Sequence, residues 1–258
     1  MAGFRYFIEL SYNGSPFHGW QSQKNTGKTV QTVLEKVLST ALGHPVKTQG
    51  CGRTDAGVHA RQFFADFESQ HSDLHTDPRK WVFKLNTMLP DAISIKAIYR
   101  VIPEASARKS AFERTYKYFI HTRPDPFLAG RSWYRYGNLN LKKMKEAAAL
   151  LVGKHDFSAF SKTGGGEVSP VCDLKSLTLK KRDETIEITV TADRFLRNMV
   201  RAITGTLVEI GSGKREADEM KSILKSRARK NAGVSAPAEG LYLVSVKYPV
   251  RIFVNNGR

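Results

Sequence analysis

Gly50-Cys51-Gly52-Arg53-Thr54-Asp55-Ala56-Gly57-Val58-His59-Ala60 is the stretch from which the rest of this chain is best read. Its glycines at 50, 52 and 57 permit positive φ and close approach of a ligand to the main chain, which makes it a tight loop rather than a helix or strand. Asp55 sits at the centre, two residues from the guanidinium of Arg53. A cation nearby keeps a carboxylate ionised, the state required of a nucleophile or base at neutral pH. Val46 to Thr48 leads into the loop and Gln62 to Phe67 leaves it as extended runs, so the carboxylate is expected between two strands.

Further out, Phe4, Tyr6, Ile8 and Leu10 alternate with Arg5, Phe7, Glu9 and Ser11, a half-buried strand closed by Asn13-Gly14-Ser15-Pro16. Val30, Val33, Leu34, Val37, Leu38, Ala41 and Leu42 recur at helical spacing, with Thr29 as N-cap and Gly43 just past the end. Asp77-Pro78 opens a second helix carrying Trp81, Val82, Leu85 and Met88, closed by Pro90; this spacing makes Trp81 a core residue. Ile93, Ile95, Ala97, Tyr99 and Val101 alternate as another strand. Pro103 to Ser110 is the best boundary, giving halves at 1–104 and 105–258.

Beyond it, Tyr116, Tyr118 and Ile120 alternate with Lys117, Phe119 and His121 as a strand. A helix follows Asn140 and is expected to run to Gly153, and Gly164-Gly165-Gly166 reads as a mobile loop. Leu177 and Leu179, then Ile186, Ile188, Val190 and Ala192, form a hairpin around Asp183-Glu184. A helix from Leu196 to Leu207 would bring Arg194, Arg197 and Arg201 near one another, and another carries Ala217, Met220, Ile223 and Leu224. Leu241, Leu243, Val246 and Tyr248 close the chain as a strand. Strands and helices mixed without strict alternation predict an α+β fold, with helices on one face of largely antiparallel sheets.

Charge narrows the partner. Against 24 Asp and Glu stand 41 Lys and Arg, a formal net charge of +17 that repels itself unless a polyanion compensates, so nucleic acid is favoured over an anionic membrane surface. Lys142-Lys143-Lys145, Lys180-Lys181-Arg182 and the run from Lys225 to Lys230 supply a track for phosphates. Cys51 and Cys172 have no metal or redox spacing and read as free thiols of a reducing cytoplasm. His18, His59 and His155 are scattered without ligand spacing, and no run of about 18 apolar residues is present to span a membrane. The amino terminus lacks a signal-peptide profile, and a cytoplasmic protein is expected. Gly211-Ser212-Gly213-Lys214 mimics a phosphate loop, but Val208 replaces the required first glycine and Arg215 the hydroxyl residue, which excludes that nucleotide site. Pro170-Val171-Cys172 lacks the second cysteine and the His-x-Glu of zinc deaminases.

Arg53-Thr54-Asp55-Ala56-Gly57-Val58-His59 resembles the active-site loop of the TruA family of tRNA pseudouridine synthases. The similarity returns in the same order at Tyr12 to Gln23, Leu85 to Ser94, Arg114 to Tyr118 (RTYKY), His155 to Phe160, Met199 to Gly211 (MVRAITGTLVEIG) and Glu239 to Val244 (EGLYLV). The resemblance implies a pseudouridine synthase fold of two similar α/β halves, their sheets side by side with an active cleft between them. It also implies isomerisation of uridine at positions 38, 39 and 40 of the tRNA anticodon stem-loop, by a homodimer without cofactor or metal. Asp55 matches the catalytic aspartate, Arg201 its partner and Tyr116 the residue stacked on the target base. Arg53 matches an arginine that fills the space left by the extruded nucleotide, and Leu243 a leucine beneath the base. Attack of Asp55 on C1′ and removal of a ribose proton are both compatible with these residues. Two positions depart from the family pattern: Asn13 stands where it has Asp, and Lys109 where an aromatic follows Ala-Arg. A different class shares the charge and fold, a basic RNA-binding protein that shapes tRNA without isomerising it.

Overall fold

The computed structural model describes residues 3–162 and 169–254; the glycine tract 164–166 lies outside them. Along the chain run β1 (Phe4–Tyr12), α1 (Val30–Leu42), β2 (Gln49–Gly50), β3 (His59–Ser69), α2 (Asp73–Thr76), α3 (Pro78–Met88) and β4 (Ile93–Val101). Then come β5 (Glu113–His121), β6 (Trp133–Tyr134), α4 (Leu141–Ala149), β7 (Gly153–Asp156), β8 (Val171–Arg182), β9 (Thr185–Ala192), α5 (Met199–Gly211), α6 (Glu219–Ser226) and β10 (Leu241–Lys247). The fold is α+β, as the mixed pattern predicts. Two compact units emerge: Met1–Phe112 with Leu243–Arg258, and Glu113–Tyr242.

In the first unit β1 is central, antiparallel to β3 through Ile8↔Ala65 and to β4 through Ile8↔Ile98. Tyr6, Phe7, Ile8 and Leu10 are all fully buried, so both faces of β1 are covered, more than simple alternation suggests. One cover is α1, whose Val30, Leu34, Val37, Leu38 and Leu42 turn inward; Thr29 caps its first turn by accepting from Thr32 N, and Gly43 ends it at φ 73. Asp77 caps α3 by accepting from Lys80 N. The ring of Phe7 lies edge-on to Tyr248 and Phe253, which returns the chain terminus to this unit. Main-chain bonds from Ile102 N to Ile252 O and Val254 N to Arg100 O secure that return, which a single boundary at 104/105 leaves out.

The second unit is an antiparallel sheet in the order β5-β9-β8-β7, with β6 parallel beside β5. Tyr116 pairs with Val190, and β8 meets β9 across the two-residue turn Asp183-Glu184, with Asp183 at φ 50. Two expected boundaries move. The fifth helix starts at Met199 rather than near Leu196, because Asn198 takes a left-handed φ of 67, a conformation asparagine tolerates better than most residues. Arg194 and Arg197 therefore precede the helix that carries Arg201. The fourth helix ends at Ala149, and Gly153, at φ 113, instead begins β7.

One buried acid ties the first unit's sheet to the segment after β4. Asp66 on β3 is 4% exposed; it accepts from Arg5 Nη2 at 2.6 Å and from Ala107 N at 2.7 Å. Burial pushes its carboxyl above the usual carboxylate range, outweighing the opposing pull of the Ala107 amide and Arg5. Asp66→Ala would leave the Ala107 N–H without its acceptor, while Arg5 keeps Glu68 at 2.8 Å. We expect a loss of about 2 kcal/mol in urea unfolding; a shift in midpoint within error would show the contact to be dispensable.

Candidate active site

Asp55 lies in the turn joining β2 to β3, half-buried, with Val58 N donating to its carbonyl at 3.1 Å and Gly57 at φ 79. The turn rests on the segment that follows β1. Trp20 N donates to Thr54 O at 3.1 Å, and Tyr12 Oη is 2.9 Å from Thr54 Oγ1. Gly19, at φ +89, lies so close beneath that an added Cβ would stand 2.5 Å from Thr54 O and 3.2 Å from the Asp55 carbonyl carbon. Gly14 packs as tightly under the Val58 carbonyl, and its N–H donates to His59 Nδ1 at 3.1 Å. His59, 2% exposed, is thus a structural residue of the turn. Trp20 packs on Phe63 with centroids 4.1 Å apart, and Tyr12 is 5.5 Å from the same ring. Tyr12 of β1, Phe63 of β3 and Trp20 thus form an aromatic cluster beside the loop.

Asn13, the departure near this loop, keeps its shape: its Oδ1 accepts from Ser15 N at 3.1 Å, the bond an aspartate would make. Lys109 is exposed and donates its N–H to Ser106 Oγ. Beside the turn opens a cavity of about 230 Å³ lined by Trp20, Gln21, Gln31, Thr48, Gln49, Gly50, Gly52, Arg53 and Arg108. Arg53 is an exposed residue of its wall. Leu243, on β10 in the same unit, is 2% exposed.

Tyr116 and Arg201 belong to the second unit. Tyr116 is half-buried on β5, with Phe195 edge-on at 5.1 Å and 87°. Arg201, on α5, is not a snorkelling surface cation: its Nε donates to Ala236 O at 2.8 Å while its own carbonyl accepts from Ala236 N at 2.9 Å. The neighbouring Tyr118 is 1% exposed and donates to Pro237 O at 2.7 Å. Burial pushes the Tyr118 phenol well above its usual range, with Arg201 opposing. Gly205 lets the Val234 carbonyl lie directly on α5, so the stretch from Val234 to Pro237, which leads into β10, is clamped along the helix.

The basic runs fall into exposed and paired residues. Lys180, Lys181 and Arg182 are exposed, but Lys143 pairs with Glu216 at 2.8 Å and Arg227 with Asp156 at 3.1 Å. Arg229 holds the same clamped stretch, donating to Gly233 O at 3.0 Å and Ser235 Oγ at 2.8 Å. Among the described residues no His, Cys, Asp or Glu cluster is placed to hold a metal ion, and no helix is long and apolar enough to cross a membrane. In the sequence, Asn13 to Pro16 marks the end of a strand and Tyr12 to Gln23 carries part of the family resemblance, but the supporting roles of Gly14, Gly19 and Trp20 have no periodicity by which to find them.

A family model described as tRNA pseudouridine synthase matches residues 147–249. A protein of Bacteroides fragilis named tRNA pseudouridine synthase A is 44% identical over 250 residues, 96% of this chain and 98% of the relative. A protein of the same name from Bacteroides thetaiotaomicron is 44% identical over 252 residues, 96% and 92% of the two chains. One from Thermoanaerobacter pseudethanolicus is 40% identical over 243 residues, 93% and 98% of the two.

The loop support predicts a pair of opposite outcomes. Gly19→Ala forces a Cβ against Thr54 O at a positive φ and should cost about 2 kcal/mol in urea unfolding. Gly27→Ala, with open space around it, should stay within about 0.5 kcal/mol of the parent. Equal effects of the two would remove Gly19 as the support of the loop.

Proposed function

Because this chain belongs to the tRNA pseudouridine synthase A family, we propose that it isomerises uridine to pseudouridine in tRNA, at positions 38, 39 and 40 of the anticodon stem-loop. The observation that carries the reading is identity of 44% spread over 96% of the chain, which includes the Asp55 turn and the segment that supports it. The reaction breaks the bond from C1′ to N1, turns the detached base, and joins C1′ to C5. A proton leaves C5 and one is gained at N1, so substrate and product are isomers and the balance needs no oxidant, reductant or energy source.

Asp55 is the catalytic nucleophile, and its ionised carboxylate stabilises or captures the electron-poor C1′ as the base departs. Arg201 is the cation that complements the negative charge of the catalytic aspartate in this reading. Its backbone and Nε are already committed to Ala236, which fixes the root of the side chain. Tyr116 offers a ring face to the free uracil, which must be held while it turns. Leu243 packs beneath the base, and Arg53 occupies the gap left in the RNA stack when the uridine is extruded. The net charge of +17 suits a polyanionic substrate, and the exposed Lys180, Lys181 and Arg182 suit phosphate contacts. A homodimer acting in the cytoplasm, without cofactor or metal, completes the proposal.

Asp55→Ala should lower conversion of unmodified tRNA by about a thousandfold or more while tRNA affinity stays within about threefold of the parent. Equal conversion by the variant and the parent would remove Asp55 from the chemistry. If neither converts although both bind, the protein is a tRNA-binding factor and the enzymatic reading fails. Affinity for tRNA should also fall by about a thousandfold between 50 and 200 mM salt; an affinity flat across that range would contradict a phosphate track.

A further inference from the structure

Apart from Arg53, the lining of the cavity beside the Asp55 turn has no part in the isomerisation as proposed. Its lining carries two guanidiniums, Arg53 and Arg108, the carboxamides of Gln21, Gln31 and Gln49, and no carboxylate. Its floor is finished. Trp20 is 1% exposed, and Gln31 is 7% exposed. Gln31 spends its donors on Glu35 Oε1 and Thr48 O, and its oxygen on Gln21 Nε2 and Ser22 N. No bonding capacity of the floor residue Gln31 is left for a ligand.

The rim is different. Gln21 commits one amide hydrogen to Gln31, and Gln49 only accepts a long bond from Ser106 Oγ at 3.4 Å, so its amide nitrogen is available to a ligand. Arg108 projects from a backbone that is held on both sides of Ala107: the Ala107 N–H by Asp66 at 2.7 Å, and the Ala107 carbonyl by Tyr248 Oη at 2.7 Å. A buried acid and a phenol are thereby spent on fixing the residue before a cation at the mouth of a polar hollow. The volume, about 230 Å³, lies below the range of about 300–1,000 Å³ usual for drug-sized ligands, so the hollow suits one nucleotide unit rather than a dinucleotide cofactor.

We propose that this cavity is a second nucleotide subsite: it takes an unpaired nucleotide of the tRNA neighbouring the target uridine, with its phosphate against Arg108 and its base edge against Gln49 and Gln21. Guanidinium forks match phosphate oxygens, and carboxamides supply both a donor and an acceptor to a base edge. The subsite rests on the reading of the chain as a tRNA-modifying protein.

The test is tRNA binding measured as a function of salt, on the full chain, for Arg108→Ala and Gln49→Leu. Both residues are exposed, so thermal melts matching the parent are expected. Arg108→Ala should weaken binding about tenfold and reduce the slope of log affinity against log salt by about 1, the signature of one lost phosphate contact. Gln49→Leu should weaken binding about threefold with the slope unchanged, as loss of a base contact requires. A tRNA in which the nucleotides flanking the target are abasic should bind the parent and Gln49→Leu equally. The proposal is overturned if both variants bind like the parent, or if the abasic tRNA still distinguishes Gln49→Leu. Because the readout is binding, a parent that binds but does not isomerise would count against the enzymatic reading alone.

Discussion

The carbonyl of Thr54 is the fixed point of the candidate site. It accepts the Trp20 amide at 3.1 Å and lies where any side chain at position 19 would collide with it. A loop of small residues has no core of its own, and without external contacts Asp55 would sample many positions. Here the restraint comes from Gly14 and Gly19, which lack the atom that would push the loop away, and from the ring of Trp20 wedged against Phe63. Precise placement of one carboxylate is thereby bought with glycine, aromatic stacking and a few main-chain bonds.

The second unit uses the same device in another form. Gly205 has no Cβ, so the Val234 carbonyl can lie on α5, and Arg201 then grips Ala236 from both its Nε and its carbonyl. These bonds restrict the part of the Arg201 side chain nearest the helix. Arg229 adds a second anchor to the same stretch through Gly233 and Ser235. Cations in this chain thus divide between those that shape the fold and those left exposed for a polyanion, and net charge alone does not distinguish them.

Much of the architecture is legible in the sequence because it is periodic. The alternation from Phe4 to Leu10, the helical spacing from Val30 to Leu42 with its Thr29 cap, and the hairpin at Asp183-Glu184 each reflect a local rule that packing reinforces. The missed features follow from contacts between distant residues. Asn198 delays α5 by taking a left-handed conformation that no hydrophobic pattern announces. Tyr248 and Phe253 return to cover Phe7, a pairing across most of the chain that a linear boundary cannot express. The loop of Asp55 is legible through its glycines and through resemblance; the support that Gly14 and Gly19 give it is not, since a glycine beneath a carbonyl and a glycine in an open turn look alike in a sequence.

In this reading the carboxylate carried by the turn acts on uridine in tRNA. The most direct measurement is incubation of the parent protein with tRNA transcribed without modifications, followed by nucleotide-resolved mapping of pseudouridine. Conversion confined to positions 38, 39 and 40 is the predicted result. Well-folded protein that binds this tRNA and leaves every uridine unchanged, or converts uridines only elsewhere, would contradict it.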